Sequence, residues 1–531
     1  MKYMGGLDGG IEQVTGGTPM DAASQIWHAH AFEKFERPGR RVVVIGAGIS
    51  GLVTAYELEC RGYRVRVLEG TTRIGGRIHT HRFGHGPGAP SVELGAMRIP
   101  AHHHHALEYI RRMGLAGKLR TFTTLLSDEN AFLRTEDGFL RIREASGPLR
   151  ENFRRELERH RPWQRHDERL DDGIVAFGAW LTAIVDAIAP PDLREALRTD
   201  LRRQLLDLVA LVDLGPHLRG PARDRVDLHS LFSAHPGIRA GCSARLNSFL
   251  DDILAETSPD LLRLHGGMDA LPRAVAGRLR GPVLLGHRVT GIEVCDDLVR
   301  LTVRAGSRTV EEHADLVVCT APFPAVRRMR LRGLDADKLD VLREVEYCPA
   351  TKVAVHCREA FWREGGIQGG ASFTGGRVRQ TYYPAPDGAP GQGAALLASY
   401  TIGDEAARLG RMSARRRHRL VLDELSVVHP ELMTPGMVLD VVSVAWGNVA
   451  WSGGGCAYRW GKSDERCAEE LRRAFRPVGR LFFAGEHCST ASAWIEGGIE
   501  SALRAVEAVG RHDRAHRTAT AADRHDPAGA L

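Results

Sequence analysis

The chain has 531 residues, 43% of them hydrophobic and 26% charged, an ordinary balance for a soluble globular protein. Its net charge of +6 comes from 72 basic against 66 acidic residues, a surplus too mild to read as a nucleic-acid footprint. By length alone about three or four domains fit, and so does one large fold with insertions. Nine cysteines are scattered without a C-x-x-C pair, which reads as free thiols in a reducing compartment. The first residues carry no apolar signal core, and no window approaches the roughly eighteen apolar residues of a membrane span. A cytoplasmic protein without membrane or nucleic-acid partners is the expectation.

Residues 1–39 are Gly-rich and then amphipathic around Ile26 to Phe35, which predicts an arm packed on the body. Val42 to Ile45 is a β-branched apolar run, the mark of a buried parallel strand. Gly46, Gly48 and Gly51 follow as G-x-G-x-x-G. Leu52 to Glu59 then reads as a helix, Gly62 as its stop, and Val65 to Leu68 as a second strand closed by Glu69. Strand, glycine turn, helix, strand and acid at this spacing make a βαβ dinucleotide cradle. The glycines allow the tight turn, close approach of the pyrophosphate and close helix–strand packing. The N–H groups at the helix start hold the diphosphate, and Glu69 accepts from ribose hydroxyls.

Downstream, AHHHHALEYIRRMGL after Pro100 predicts a helix start. Neighbours on a helix point in different directions, so His102 to His105 cannot all face one metal ion. A solvated or partly packed helix end is expected there. Residues 140–264 have helical spacing, and their many arginines alternate with acids, as on solvated helix faces. HGGMDALPRAVAGRL reads as a turn and helix, followed by two strands and then ADLVVCTAP, another buried strand. Residues 322–440 alternate strands and helices. RLFFAGEHCSTASAWIEGGIESALRA is a strand, a glycine turn, a loop and a helix. The charged, Ala-rich stretch 512–531 lacks periodicity and predicts a disordered tail.

These stretches resemble the flavin amine oxidases, and within them the L-amino acid oxidase branch, over about residues 40–510. RVVVIGAGISGL with LEGTTRIGGR resembles the family's FAD-binding start, with Gly76 and Arg77 in its second flavin motif. ELGAMRIP resembles the segment beside the flavin, HGGMDALP the family's GGM-D-LP turn, TKVAVHCREAFW the segment carrying the flavin-facing lysine, and FFAGEHCSTASAWIEGG the C-terminal flavin clamp. The implied fold class is α/β: a Rossmann-like FAD-binding domain built from three segments (40–98, 265–321 and 441–511), an α+β substrate-binding domain (99–139 and 322–440), and a helical subdomain (140–264).

Residue roles follow from the same resemblance. Arg98 matches the arginine that grips the substrate carboxylate, for which a guanidinium fork is well shaped. Tyr383 lines up with the tyrosine that helps it, with Tyr382 as the alternative. Lys352 matches the catalytic lysine, whose charge serves the reaction with oxygen. Trp494 lines the substrate pocket. The FAD-binding set is Gly46, Gly48, Gly51, Glu69, Gly76, Arg77, Met97, Arg98, Val289, Gly485, Glu486, Trp494 and Ile495, and Trp446 sits where the family often has an aromatic.

Two departures stand out. Some family members place a histidine over the substrate. The comparable stretch here, Phe249 to Ile253, has none, and His229, His235 and His265 are out of register, so no base is assigned. WSGGGCAY resembles a segment that carries covalent flavin in monoamine oxidases, but Cys456 is one residue out of register, and non-covalent FAD is expected. The implied activity is FAD-dependent oxidation of an L-amino acid by hydride transfer, giving a 2-oxo acid, ammonia and hydrogen peroxide from O2. An amino acid 2-monooxygenase and an amine oxidase are the alternatives, and the family suggests a homodimer.

Overall fold

The computed structural model describes residues 40–86, 88–124, 127–135, 138–159, 171–189, 191–220, 223–385 and 388–522. The expected arm 1–39 lies outside them, as do residues 523–531. A five-stranded parallel sheet forms the first layer, in the order Val283–Leu284, Arg64–Leu68, Arg41–Ile45, Leu316–Cys319, Leu481–Phe483. Strands hundreds of residues apart in sequence are thus neighbours.

After the exposed Arg41, the run Val42 to Ile45 is apolar throughout because both its faces are covered. Side chains alternate across a strand, so Val42 and Val44 enter one core and Val43 and Ile45 another. The first core is closed by helices Ile49–Cys60 and Ile495–Ala522, through Leu52, Val53, Ile499 and Val506. The second is closed by the meander His287–Val294, Val299–Ala305 and Arg308–Ala314, through Ile292 and Leu301.

Helix Ile495–Ala522 corrects the expectation of a tail without structure from His512. Asp513 is buried, accepts a hydrogen bond from the Tyr63 hydroxyl at 2.6 Å and pairs with Arg40. The polar, Ala-rich sequence hides this because one buried acid, not an apolar stripe, ties the helix down.

The second large sheet has seven strands, in the order Val438–Ala445, Ala350–Cys357, Ala394–Ile402, Arg379–Tyr382, Ala371–Gly375, Phe132–Thr135, Gly138–Arg141. Its pairings are antiparallel except that between Ala371–Gly375 and Phe132–Thr135. Helices from Ile142–Arg159 to Ala244–Thr257 pack on one face, and helix Ala414–Leu425 on the other. Ser243 starts helix Ala244–Thr257, its hydroxyl accepting from the Leu246 N–H at 3.2 Å. That cap fixes the helix whose C-terminal turns meet Arg98. Among the described residues, no helix is long and apolar enough to cross a membrane.

The histidine tract does open a helix, His104–Arg112, but it is not merely solvated. His103 is buried and its ring stands edge-on to Trp494, with centroids 5.1 Å apart. Burial, then the neighbouring histidines, push it down to about 4, so it is neutral near pH 7. The carboxylate of Glu496 accepts from the N–H groups of His105 and Ala106 at the helix start. Among the described residues no cluster of His, Cys, Asp or Glu is arranged to hold a metal ion.

Candidate active site

A long cleft runs along the C-terminal ends of the parallel strands. Of the residues expected to bind the cofactor, Gly46, Gly48, Glu69, Gly76, Arg77, Val289, Gly485, Glu486, Trp494 and Ile495 line it. Trp446 lines it too, its indole N–H donating to the Leu94 carbonyl at 2.9 Å.

The glycines divide the labour. A Cβ on Gly51 would stand 1.9 Å from the Gly46 carbonyl oxygen, so only glycine lets the helix start against the strand end. A Cβ on Gly48 would meet no protein atom within 4 Å and would project into the open cleft. That is space for a ligand's diphosphate at a helix N-terminus. At the next position along, Glu69 accepts from the N–H groups of Ala47 and Thr71, both at 2.8 Å, which aims its carboxylate at the cradle.

Arg77 and Glu486 form an ion pair at 2.6 Å across the cleft. Burial opposes the charge on Glu486, but Arg77 and His487 outweigh it and hold its carboxyl below the usual range. A long cleft with a glycine turn at one end, an acid for a ribose and tryptophans at the other end suits an FAD. Cys456 is not in the cleft wall, where its neighbour Gly455 is; it lies in strand Cys456–Ala457, opposite Cys348. Among the described residues every cysteine is free.

Met97 and Arg98 do not line this cleft. Arg98 is buried behind Trp494, its guanidinium carbon 5.9 Å from the ring centroids of Trp494, Phe122 and Tyr382. Its Nη1 donates to the Tyr382 hydroxyl at 3.0 Å, and its Nη2 pairs with Glu256 at 2.7 Å. Burial acts to lower its pKa, yet Glu256, Tyr382 and Tyr400 outweigh that and hold it above the ordinary guanidinium value.

Tyr382, not Tyr383, is therefore the tyrosine bonded to Arg98. The two are adjacent in sequence at the end of one strand, so they face opposite cores. The Tyr383 hydroxyl is engaged by Ser372 at 2.6 Å and His429 at 2.7 Å.

Lys352 sits on the central strand Ala350–Cys357 and is buried. Its ammonium donates to the carbonyls of Glu93 at 3.2 Å and Gly95 at 2.7 Å, and touches the Met97 sulfur at 3.5 Å. It also lies 4.7 Å above the Tyr400 ring. Burial, then Arg98, push it down to about 7 against the pull of Glu93 and Glu256. Glu93 itself is pushed up to about 7 by burial, against hydrogen bonds from the Met268 N–H and the Thr80 hydroxyl.

A second cavity lies beside this group, walled by Glu93, Met97, Phe122, Met268, Tyr382, Tyr383 and Leu397. Three residues at the site carry no linear signal. Asp252 and Glu256 lie on a helix of ordinary amphipathic pattern. Arg379 lies at a β-bulge with φ 58°, buried beside Glu256 and Tyr400, its Nε without a partner among the described residues.

The family profile described as flavin containing amine oxidoreductase matches residues 49–510. The flavin-dependent L-tryptophan oxidase RebO of Lentzea aerocolonigenes is 52% identical over 89% of this chain and 98% of that relative. An L-amino-acid oxidase of Mus musculus is 30% identical over 88% of this chain and 70% of that protein. Among solved structures, cyclohexylamine oxidase from Brevibacterium oxydans aligns with a TM-score of 0.59 at 20% identity, over 90% of this chain and 100% of that one. Putrescine oxidase aligns with a TM-score of 0.57 at 20% identity, over 89% and 99%. With a cleft shaped for FAD and a profile match that spans nearly all the described residues, the chain belongs to the flavin-containing amine oxidoreductase family, whose members oxidise CH–NH2 donors.

Proposed function

We propose that the protein is an FAD-dependent L-amino acid oxidase that takes a large aromatic amino acid of the tryptophan type. The observation that carries the reading is Arg98: a buried guanidinium, bonded to Tyr382 and ringed by Phe122, Tyr382 and Trp494, next to the cofactor cleft. A carboxylate is the group such a fork recognises, and an amine without one would add nothing to its bonds with Tyr382 and Glu256. Arg98 and Tyr382 bind the α-carboxylate and so orient Cα toward the cleft; this is catalysis by positioning.

FAD, when bound, supplies the acceptor for the Cα hydrogen and its two electrons and passes them on to dioxygen. Trp494 forms a wall between the cleft and Arg98 and keeps water from the reacting carbon. Lys352 holds a proton against the Glu93 and Gly95 carbonyls, a buried cation suited to developing negative charge on oxygen. The imino acid leaves and hydrolyses to a 2-oxo acid and ammonia.

The aromatic preference is supported by the three rings around Arg98, by the adjoining cavity lined by Phe122, Tyr382 and Leu397, and by the substrate in the name of the relative at 52% identity. A peroxide-coupled screen of the common L-amino acids, with mass analysis of products, tests the proposal. L-Tryptophan should lead, with indole-3-pyruvate and peroxide formed one to one. An amide with release of CO2 would make the protein a 2-monooxygenase. Turnover of simple amines but not amino acids would overturn the reading.

A further inference from the structure

An α-amino group is an ammonium near neutral pH, and its nitrogen lone pair must be freed before hydride can leave Cα. The reading above gives that proton no acceptor, and this inference rests on that reading. Helix Ala244–Thr257 places Phe249, Asp252, Ile253 and Glu256 at i, i+3, i+4 and i+7, along one stripe. Phe249 and Ile253 are core residues, so the two acids occupy the helix face that packs inward. Glu256 reaches Arg98 Nη2 through Oε1 at 2.7 Å. Its Oε2, and Oδ2 of Asp252, are buried and have no hydrogen-bond partner among the described residues. Buried polar oxygens are seldom left in that state unless something else meets them.

The groups facing this pair come from every side. Arg98, Arg379, Lys352, Tyr382 and Tyr400 act on Glu256 from the two sheet segments and the strand end. Arg98, Asp251 on the same helix and the Trp460 indole act on Asp252, as do Cys348 and Cys456 from the paired strands Tyr347–Cys348 and Cys456–Ala457. Burial first, then Glu256 and Asp251, push Asp252 up to about 8, so it keeps its proton at neutral pH. Of the two acids, Glu256 is the one held directly on Arg98, with Oε2 left unpartnered beside the carboxylate site.

We propose that Glu256 is the base of the reaction, binding the substrate's α-ammonium beside the carboxylate held on Arg98 and accepting one of its protons on Oε2, with Asp252 positioning it. One N–H bond breaks, its electron pair stays on nitrogen as the lone pair, and one O–H bond forms on Glu256. No oxidant enters this step. Oε2 itself is buried, so the proton leaves Glu256 for solvent only once departure of the imino product opens the site. A zwitterion thus meets an Arg–Glu pair of the opposite polarity.

The test is anaerobic flavin reduction by L-tryptophan followed from pH 6 to pH 10 in the wild-type holoenzyme, Glu256→Gln, Glu256→Asp and Asp252→Asn. Loss of a general base costs about 100-fold or more. Glu256→Gln should therefore reduce about 100-fold more slowly at pH 7 and recover most of that loss by pH 10, where the substrate amine is already neutral. Glu256→Asp should keep the wild-type profile at a lower rate. Asp252→Asn should move the acidic limb of the profile without changing the alkaline plateau.

Titration of the bound flavin's spectrum with indole-3-propionate, which has the carboxylate but no ammonium, gives a readout without turnover. Glu256→Gln should bind it at least as tightly as wild type. Superimposable profiles for wild type and Glu256→Gln, or a loss as large at pH 10 as at pH 7, would overturn the assignment. Failure of the wild type itself to be reduced by any L-amino acid would instead overturn the proposed function, and the base with it.

Discussion

Replacing Arg98 with lysine keeps a cation in the pocket and removes the fork. In the structure Nη1 and Nη2 bind in two directions, to Tyr382 and Glu256. A lysine ammonium is a point charge on a flexible stem and cannot present two parallel donors to a carboxylate. At least one charge-assisted hydrogen bond to the substrate is lost, worth about 1.5–3 kcal/mol. That is roughly a 10- to 150-fold weaker hold on the substrate. The Glu256 pair contributes little to the expected change, because it is partly solvated and the cation remains. The assay is steady-state peroxide release alongside anaerobic flavin reduction, with the flavin spectrum as a check on cofactor content. KM should rise by that factor for every accepted amino acid while the protein stays yellow. An unchanged KM, or loss of FAD with no change in the remaining holoenzyme's KM, would refute the placement of the carboxylate on Arg98.

Four further substitutions probe other parts of the site. Tyr382→Phe should raise KM about 10-fold through loss of one hydrogen bond to a charged group, whereas Tyr383→Phe should leave KM unchanged and lower thermal stability slightly, because its hydroxyl serves Ser372 and His429; steady-state kinetics and melting curves separate the two, and the reverse outcome would restore Tyr383 as the carboxylate's partner. Lys352→Met should slow reoxidation by O2 about 100-fold with little effect on reduction. Because Lys352 lies near 7, below its ordinary 10.5, its charge is present below about pH 7 and lost above it, so wild-type reoxidation should slow as pH rises through that value; stopped-flow mixing of reduced enzyme with oxygen would show a flat profile if the lysine plays no part. Gly48→Val changes a residue at φ −72° and ψ 175°, a backbone conformation valine accepts, and puts a side chain into the open cleft; the variant should purify colourless with an unchanged far-UV circular dichroism spectrum, and retention of a full complement of FAD would show that the diphosphate lies elsewhere.

The cofactor half of the site was legible in the sequence because backbone turns make it. A glycine pattern after a β-branched strand fixes local conformation over a few residues, so Gly46, Gly48 and Glu69 could be placed before any tertiary contact was known, and Arg77 through its resemblance to a flavin motif. Arg98 and Lys352 were legible only through their motifs. Their electrostatic setting was not, since it is made by segments far apart in the chain, Glu256 among them. Tyr383 was preferred to Tyr382 because alignment alone does not tell which of two adjacent strand residues faces which side; a one-residue step reverses the face.

The sequence by itself determined the βαβ cradle, the alternation that splits Val42 and Val44 from Val43 and Ile45, and the family. These are local or periodic properties, set by a few neighbouring dihedrals and by which side chains water rejects. Only the tertiary structure decided that Tyr382 and not Tyr383 meets Arg98, that His103 packs on Trp494, and that two helical acids join the site. Those outcomes depend on register, on helix rotation and on burial, which raises or lowers a charge's cost according to residues hundreds of positions away.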